Sequence, residues 1–274
     1  MTAADAVAAL GAAGNSASIE GRARYGIRPR TEQLGVGIPA IPAIARPAIP
    51  DHPHAPALWT AAAARGAGAN PASSEGRARS GPRPRAERPG AGIPAIRAIA
   101  RAAIPDHQLA LDLWATGIHE ARILAAMVDV PADVTAGQMD AWAADFDSWD
   151  LVDGCTGELF DRTPYAWIKV QEWAERDEEY VKRAAFSLIA ALAVHDKQAQ
   201  DERFLALLPI IRRHANDDRN FVRKAVNWAL RQIGKRNGVL REAAIATAEA
   251  IRADGTRSGR WIASDALREL RGGG

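Results

Sequence analysis

A single cysteine, Cys155, in 274 residues excludes an intramolecular disulfide framework and leaves no second thiolate for a zinc site. A reducing cytoplasm is the expected compartment. No apolar run approaches the roughly 18 residues of a membrane span, and the opening MTAADAVAAL carries an aspartate and no basic region, so neither a membrane segment nor a secretory leader is expected. Metal-ligand spacing is missing too, since His119, His195 and His214 pair neither with one another nor with Cys155 in a ligand pattern. Gly234, Lys235 and Arg236 match the end of a phosphate loop but lack its upstream glycine and strand. No metal and no cofactor are implied. Strong net charge is also lacking, at +2, so any case for an anionic partner rests on where the cations sit.

What is present falls into two parts. Residues 1–105 hold 13 arginines against 6 acidic residues, whereas the remainder holds 22 basic against 27 acidic residues. The first part contains a duplication at a constant offset of 55, in which EGRARYGIRPRTEQLGVGIPAIPAIARPAIPDH from Glu20 aligns with EGRARSGPRPRAERPGAGIPAIRAIARAAIPDH from Glu75. Two copies of this length are too few for a solenoid, which favours recent duplication. Residues 1–62 are accordingly taken as an extra N-terminal copy, a candidate for poor order, and residues 63–274 as the main domain. The first part also holds 13 of the 16 prolines. Each interior proline costs a helix roughly 3 kcal/mol, so only Ala3 to Leu10, Pro56 to Arg65 and Ile93 to Ile104 look helical there.

From Asp106 onward, amphipathic periodicity predicts helices near 107–115, 118–128, 136–146, 148–160, 164–175, 178–195, 201–215, 219–236, 239–253 and 257–271. Thr135, Thr163 and Asp201 are expected N-caps, Pro164 a first helical residue, and Gly238 and Gly255 stops. YVKRAAFSLIAAL from Tyr180 aligns with FVRKAVNWALRQI from Phe221 at an offset of 41, and RWIASDALREL repeats the pattern about 37 residues later. A helical-hairpin period near 40 predicts an all-α fold of HEAT-like repeats, a curved α-solenoid whose second helices line the concave face.

The segment from Arg219 to Asn237 organises this arrangement. Val222, Ala225, Val226, Ala229, Leu230 and Ile233 form an apolar stripe, while Lys224, Trp228, Arg231 and Lys235 gather within about 60° on the other side. A tryptophan held among cations away from the core points to an anionic partner, and nucleic acid fits best. Arg183 aligns with Lys224, so a basic stripe along successive second helices, and hence a basic concave face, is expected. A second unusual stretch is DFDSWDLVDGCTGELF, from Asp145 to Phe160. With Ser148 opening a helix, Trp149 and Asp153 fall side by side at the edge of a buried stripe of Val152, Cys155 and Leu159. Gly154 and Gly157 flank the aspartate without side chains, leaving room for an approach to its carboxylate at a cost of up to about 1 kcal/mol each.

SWDLVD, VKRAA and KAVNWALRQIGKR, in this order on HEAT-like hairpins, resemble the AlkD-like DNA alkylation repair family, monofunctional DNA glycosylases that excise cationic alkylpurines. The resemblance spans about Asp106 to Leu270, and ARYGIRPR with GVGIPAI resembles that family's N-terminus; the second, proline-rich N-terminal copy departs from it. It implies that Asp153 is the catalytic aspartate, that Trp149 and Trp228 face the DNA backbone, and that Arg183 contacts phosphate. Arg231 resembles a further backbone contact, and Lys182, Lys224 and Lys235 complete the candidate DNA-binding set. The implied partner is duplex DNA containing 3-methyladenine or 7-methylguanine, bound by a monomer and hydrolysed at the N-glycosidic bond with the lesion left stacked.

Plainer readings exist for each residue. Trp228 can pack against a neighbouring repeat, Asp153 can cap or pair with an arginine, and exposed Arg183, Arg231 and Lys235 can be solvated surface. Trp142, Trp167, Trp173 and Trp261 read as core or inter-repeat packing, and Cys155 as a small core residue. The alternative functions are a non-catalytic HEAT-repeat DNA-binding protein, which has no need of Asp153, and a protein-interaction scaffold.

Overall fold

Helix is the only regular structure among the described residues, which in this computed structural model are 106–272 together with Ala3 and Ala4. The duplicated segment, the extra copy 1–62 and the helices expected over 56–65 and 93–104 lie outside them, as does all but two residues of that expected over 3–10. Residues 106–128 belong to one compact unit and residues 129–272 to another.

In the first unit, α1 (His107–Ala115) and α2 (His119–Val128) form a hairpin. Asp106 caps α1 by accepting from the Leu109 N–H at 2.9 Å, satisfying one of the donors a helix start leaves over. Gly117, at φ +69°, makes the reversal that a side chain would resist. Leu109, Leu113 and Trp114 are buried, and the Arg122 guanidinium stacks 5.0 Å from the Trp114 ring.

The second unit runs through α3 (Ala136–Ala144), α4 (Trp149–Glu158), a 3-10 turn (Phe160–Arg162), α5 (Ala166–Ala174), α6 (Glu179–His195), α7 (Asp201–Leu205), α8 (Leu208–His214), α9 (Asn220–Gly234), α10 (Gly238–Ala253) and α11 (Arg257–Gly272). Helices α4, α6, α9 and α11 pack side by side in that order, with α5 against α6, α8 against α9 and α10 against α11. The repeat offset read from the sequence is visible as a contact: Tyr180 and Phe221, 41 residues apart, lie with ring centroids at 5.6 Å. The apolar stripe of α9 is buried throughout, and α6 is buried over most of its length because α4, α5 and α9 all cover it. Gly234 is where α9 meets its neighbours most closely, since an added Cβ would lie 2.8 Å from Leu270 and 3.0 Å from the Ala244 Cβ.

Five local expectations change. The helix expected over 201–215 is two helices, because Pro209, in the first turn of α8, has no N–H to give and its ring excludes a continuous helix through the preceding turn. Asp201 lies inside α7 and the cap position is Gln200, leaving the Asp201 carboxylate to accept from Asn237. Thr163 does not cap α5; its hydroxyl donates to the Phe160 carbonyl at 2.8 Å, and the helix starts at Ala166, which leaves Pro164 in the turn before it rather than as a first helical residue. Gly238 opens α10 rather than stopping α9, with Asn237 accepting from the Leu240 N–H at 2.9 Å. Thr135 caps α3, and Gly255, at φ +74°, follows the end of α10 as expected.

Candidate functional site

Asp153 is where the second unit concentrates buried polar chemistry. On α4, Val152, Cys155 and Leu159 turn inward and are fully buried, which leaves Trp149 and Asp153 half-buried at the edge of that stripe. A methyl group added at Gly154 or Gly157 would meet nothing within 4 Å, so the flank of the helix beside Asp153 is open.

The carboxylate is held from α6. Arg183 donates from Nε to Oδ1 at 3.1 Å and from Nη2 to Oδ2 at 2.7 Å, a bidentate pair. Its Nη1 donates to the Phe221 carbonyl of α9 at 2.8 Å, and its guanidinium lies 6.0 Å from the Trp149 ring. Ser187, one turn on, donates to Asp153 Oδ1 at 3.0 Å and lies 2.8 Å from the buried Thr156 hydroxyl. Three adjacent second helices are thereby tied through one charged pair, and 24% of the Asp153 side chain still faces solvent. Burial pushes the Asp153 carboxyl above its ordinary value, while Arg183 and Ser187 pull it back.

This placement corrects the expected basic stripe. Arg183, 6% exposed, and Lys182, 9% exposed, do not share the exposure of Lys224. Both are covered because α6 is packed on three sides, which a stripe drawn from α9 alone does not anticipate. Arg183 grips Asp153, and the charge of Lys182 acts on His214 and Asp217. On α9, Arg231 pairs with Glu269 and lies 3.6 Å from Asp265, and Lys235 also meets Glu269. Burial pushes the Glu269 carboxyl up, but Lys235 and Arg231 outweigh it and hold it below its ordinary value. Lys224 is exposed with no hydrogen bond or ion pair among the described residues, and Trp228 is half-buried beside it. Trp228 occupies on α9 the repeat position that Ser187 occupies on α6, one helix away from the carboxylate.

Among the remaining tryptophans, Trp142 and Trp173 are core, and Trp167 stacks edge-on to Phe204 at 5.1 Å. Trp261 departs from the expectation of packing: it is 38% exposed, with the Arg223 guanidinium 5.0 Å from its ring. Ser187 is not among the residues singled out by the sequence, although a lone serine one turn beyond an arginine in the apolar run AAFSLIAAL is a visible signal. Asp265 and Glu269, one turn apart on α11, carry no such local signal, because their partners sit 38 residues away on α9. Among the described residues no group of three or more His, Cys, Asp or Glu is placed to hold a metal ion, and no helix is long and apolar enough to cross a membrane.

Stacked helical hairpins with a period near 40 define a HEAT-like repeat protein. A solved structure described as a family related to the HEAT-like repeat DNA glycosylases, with affinity for branched DNA structures, matches with a TM-score of 0.63 at 14% identity, over 98% of this chain and 96% of that one. That likeness establishes the all-α, HEAT-like fold. No curated protein matches the chain. The model of the family described as DNA alkylation repair enzyme matches residues 66–270, and the chain belongs to that family.

Proposed function

We propose that the protein hydrolyses the N-glycosidic bond of cationic alkylpurines, 3-methyladenine or 7-methylguanine, in duplex DNA. The observation that carries the reading is Asp153: a carboxylate fixed by Arg183 and Ser187 at its back, partly open at its front, on a helix flank that two glycines leave bare. Alkylation at N3 or N7 gives the purine a positive charge, so the base departs as a neutral molecule without a general acid. The sugar acquires oxocarbenium character at C1′. A carboxylate held in advance beside C1′ stabilises that charge and orients the water that attacks. Water oxygen bonds to C1′ as the C1′–N bond breaks, and the water proton passes to Asp153 or solvent.

Arg183 serves here as a positioning residue, since its guanidinium is engaged with Asp153 and the Phe221 carbonyl. Trp149 and Trp228 supply ring faces for the deoxyribose of the lesion. Lys224, and Arg231 and Lys235 when exchanged from Glu269, supply phosphate contacts. The main domain acts as a monomer with residues 1–62 as an appendage, in the cytoplasm, and requires no cofactor. Release of 7-methylguanine from a defined duplex tests the reading. Free base should appear with an abasic strand; a folded, DNA-binding protein that liberates none rejects it for that lesion.

One observation favours a second reading. Arg183 engages both carboxylate oxygens, so Asp153 also suits a non-catalytic DNA-binding protein in which the pair is purely structural, and the matching structure belongs to a family with affinity for branched DNA. The glycines separate the two. Helix-interior Gly→Ala gains about 0.5–1 kcal/mol, and Gly154→Ala and Gly157→Ala meet no internal obstacle. The double variant should melt higher by about 2–6 °C and release base at least tenfold more slowly, because its methyl groups fill the approach to Asp153. Unchanged release in the more stable variant would remove the open flank from the mechanism.

A further inference from the structure

The exposed face of α11 repeats the arrangement that makes α9 unusual. In the repeat register, Ala225, Val226, Ala229, Leu230 and Ile233 of α9 correspond to Ile262, Ala263, Ala266, Leu267 and Leu270 of α11, and all ten are buried. The two helices thus have the same rotational phase. Trp261 then occupies the wet position of Lys224, and Arg268 that of Arg231. Arg257, Arg260, Trp261, Ser264, Arg268 and Arg271 are all exposed, and at 100° per residue they span a sector of about 100°. Asp265 and Glu249 occupy Arg268 and Arg271, and Arg260 donates to the Gly255 carbonyl. Arg257 has no ion pair or hydrogen bond among the described residues. The Trp261 ring lies against Arg223 of α9, and Trp261 shares the repeat position of Lys224, so its side of α11 adjoins the cation-bearing side of α9.

We propose that this face, centred on Trp261 and Arg257, grips the DNA backbone at a distance from the lesion. The inference rests on the DNA-binding reading above and adds a second anchor to it. A duplex is the occupant the chemistry fits: a large ring set among arginines, with one ring face already covered by a guanidinium, offers stacking against sugar and cations for phosphate, and no apolar groove for a protein helix. Spacing adds a distance. From α4 to α11 there are three helix-to-helix steps of about 8–10 Å, about 25–30 Å in all. At 3.4 Å per base pair the anchor meets the backbone about 7–9 base pairs from the nucleotide facing Asp153. A short duplex ends before reaching it.

The test is equilibrium binding of the full chain to duplexes centred on an uncleavable tetrahydrofuran abasic analogue, with arms of either 12 or 4 base pairs. The parent should bind the long duplex more tightly than the short one. Trp261→Ala and Arg257→Gln should each weaken binding to the long duplex about three- to tenfold and leave the short one unchanged. Arg257→Gln should also lower the slope of log affinity against log salt by about 0.9 on the long duplex alone. Arg257 is solvent-exposed, so that variant remains folded even where Trp261→Ala does not. Parent-like affinity for the long duplex in both variants, or equal losses on both lengths, overturns the anchor while leaving the reaction at Asp153 standing. A salt-insensitive effect confined to Trp261→Ala also overturns it and assigns the face to a protein partner. A parent that binds neither duplex defeats the DNA-binding reading and the anchor with it.

Discussion

Asp153→Asn is expected to slow release of 7-methylguanine by about 10²–10³-fold at matched DNA occupancy, the range found when one preorganised group that stabilises transition-state charge is removed. The substitution keeps the size of the side chain and a carbonyl oxygen to accept from Arg183 and Ser187, so it tests charge with little change of shape. Affinity for the duplex should change little, because the carboxylate's attraction is for a sugar that is cationic only in the transition state. The same argument fixes the sign of the pH dependence. Only the carboxylate is productive, so the rate falls as acid protonates Asp153. Burial raises that group above its ordinary value of 3.8, so the acid limb of the parent's profile lies above 3.8, and it should disappear from the residual rate of Asp153→Asn. A variant within threefold of the parent, with its acid limb intact, would show that Asp153 takes no part.

The fold was legible because it rests on short-range signals. The buried stripe of α9 and its counterpart on α6 follow from 3.6-residue periodicity, and the offset of 41 between them reappears as the Tyr180–Phe221 contact. Trp149 and Asp153 at the edge of α4 follow from the same periodicity. What was not legible depends on neighbours distant in sequence. Periodicity gives the direction of Arg183 around its own helix, but its burial is decided by α4 and α9, 30 and 38 residues away at Asp153 and Phe221. Lys182 is likewise buried, and the groups its charge acts on, His214 and Asp217, are more than 30 residues away. Periodicity puts Lys224, Arg231 and Lys235 on one side of the helix, yet the acids that meet two of them lie on α11, where Asp265 and Glu269 look like ordinary surface residues. Trp261 errs in the opposite direction, since a tryptophan near the end of an amphipathic pattern reads as packing unless a neighbour fails to cover it. Pro209 is a different kind of omission, because its helix-breaking chemistry is local and is written in ALLPII.

The Asp153–Arg183 pair leads to the second large effect. Arg183→Gln should destabilise the protein by about 2–4 kcal/mol: breaking a buried pair costs about 3–5 kcal/mol, and the open side of Asp153 lets water recover part of that. The Phe221 carbonyl loses a donor in the same step. In Arg183→Gln/Asp153→Asn no unpaired carboxylate is left, so the double variant should be more stable than the sum of the single losses, with a coupling of about 1–3 kcal/mol measured by denaturant unfolding. Kinetics then separates the two roles open to this arginine. As a positioning residue it lowers the Asp153 carboxyl against burial, so its loss should shift the acid limb of base release to higher pH and leave the salt dependence of DNA affinity unchanged. As a phosphate contact, which the family resemblance implies, its loss should reduce the salt slope by about 0.9 and leave the acid limb in place. The guanidinium is buried and bonded to both carboxylate oxygens and to a carbonyl of the next repeat, a geometry that predicts the first outcome. A reduced slope with an unmoved acid limb would mean that Arg183 leaves Asp153 when DNA binds, and that the carboxylate is freed by the same phosphate that displaces its partner.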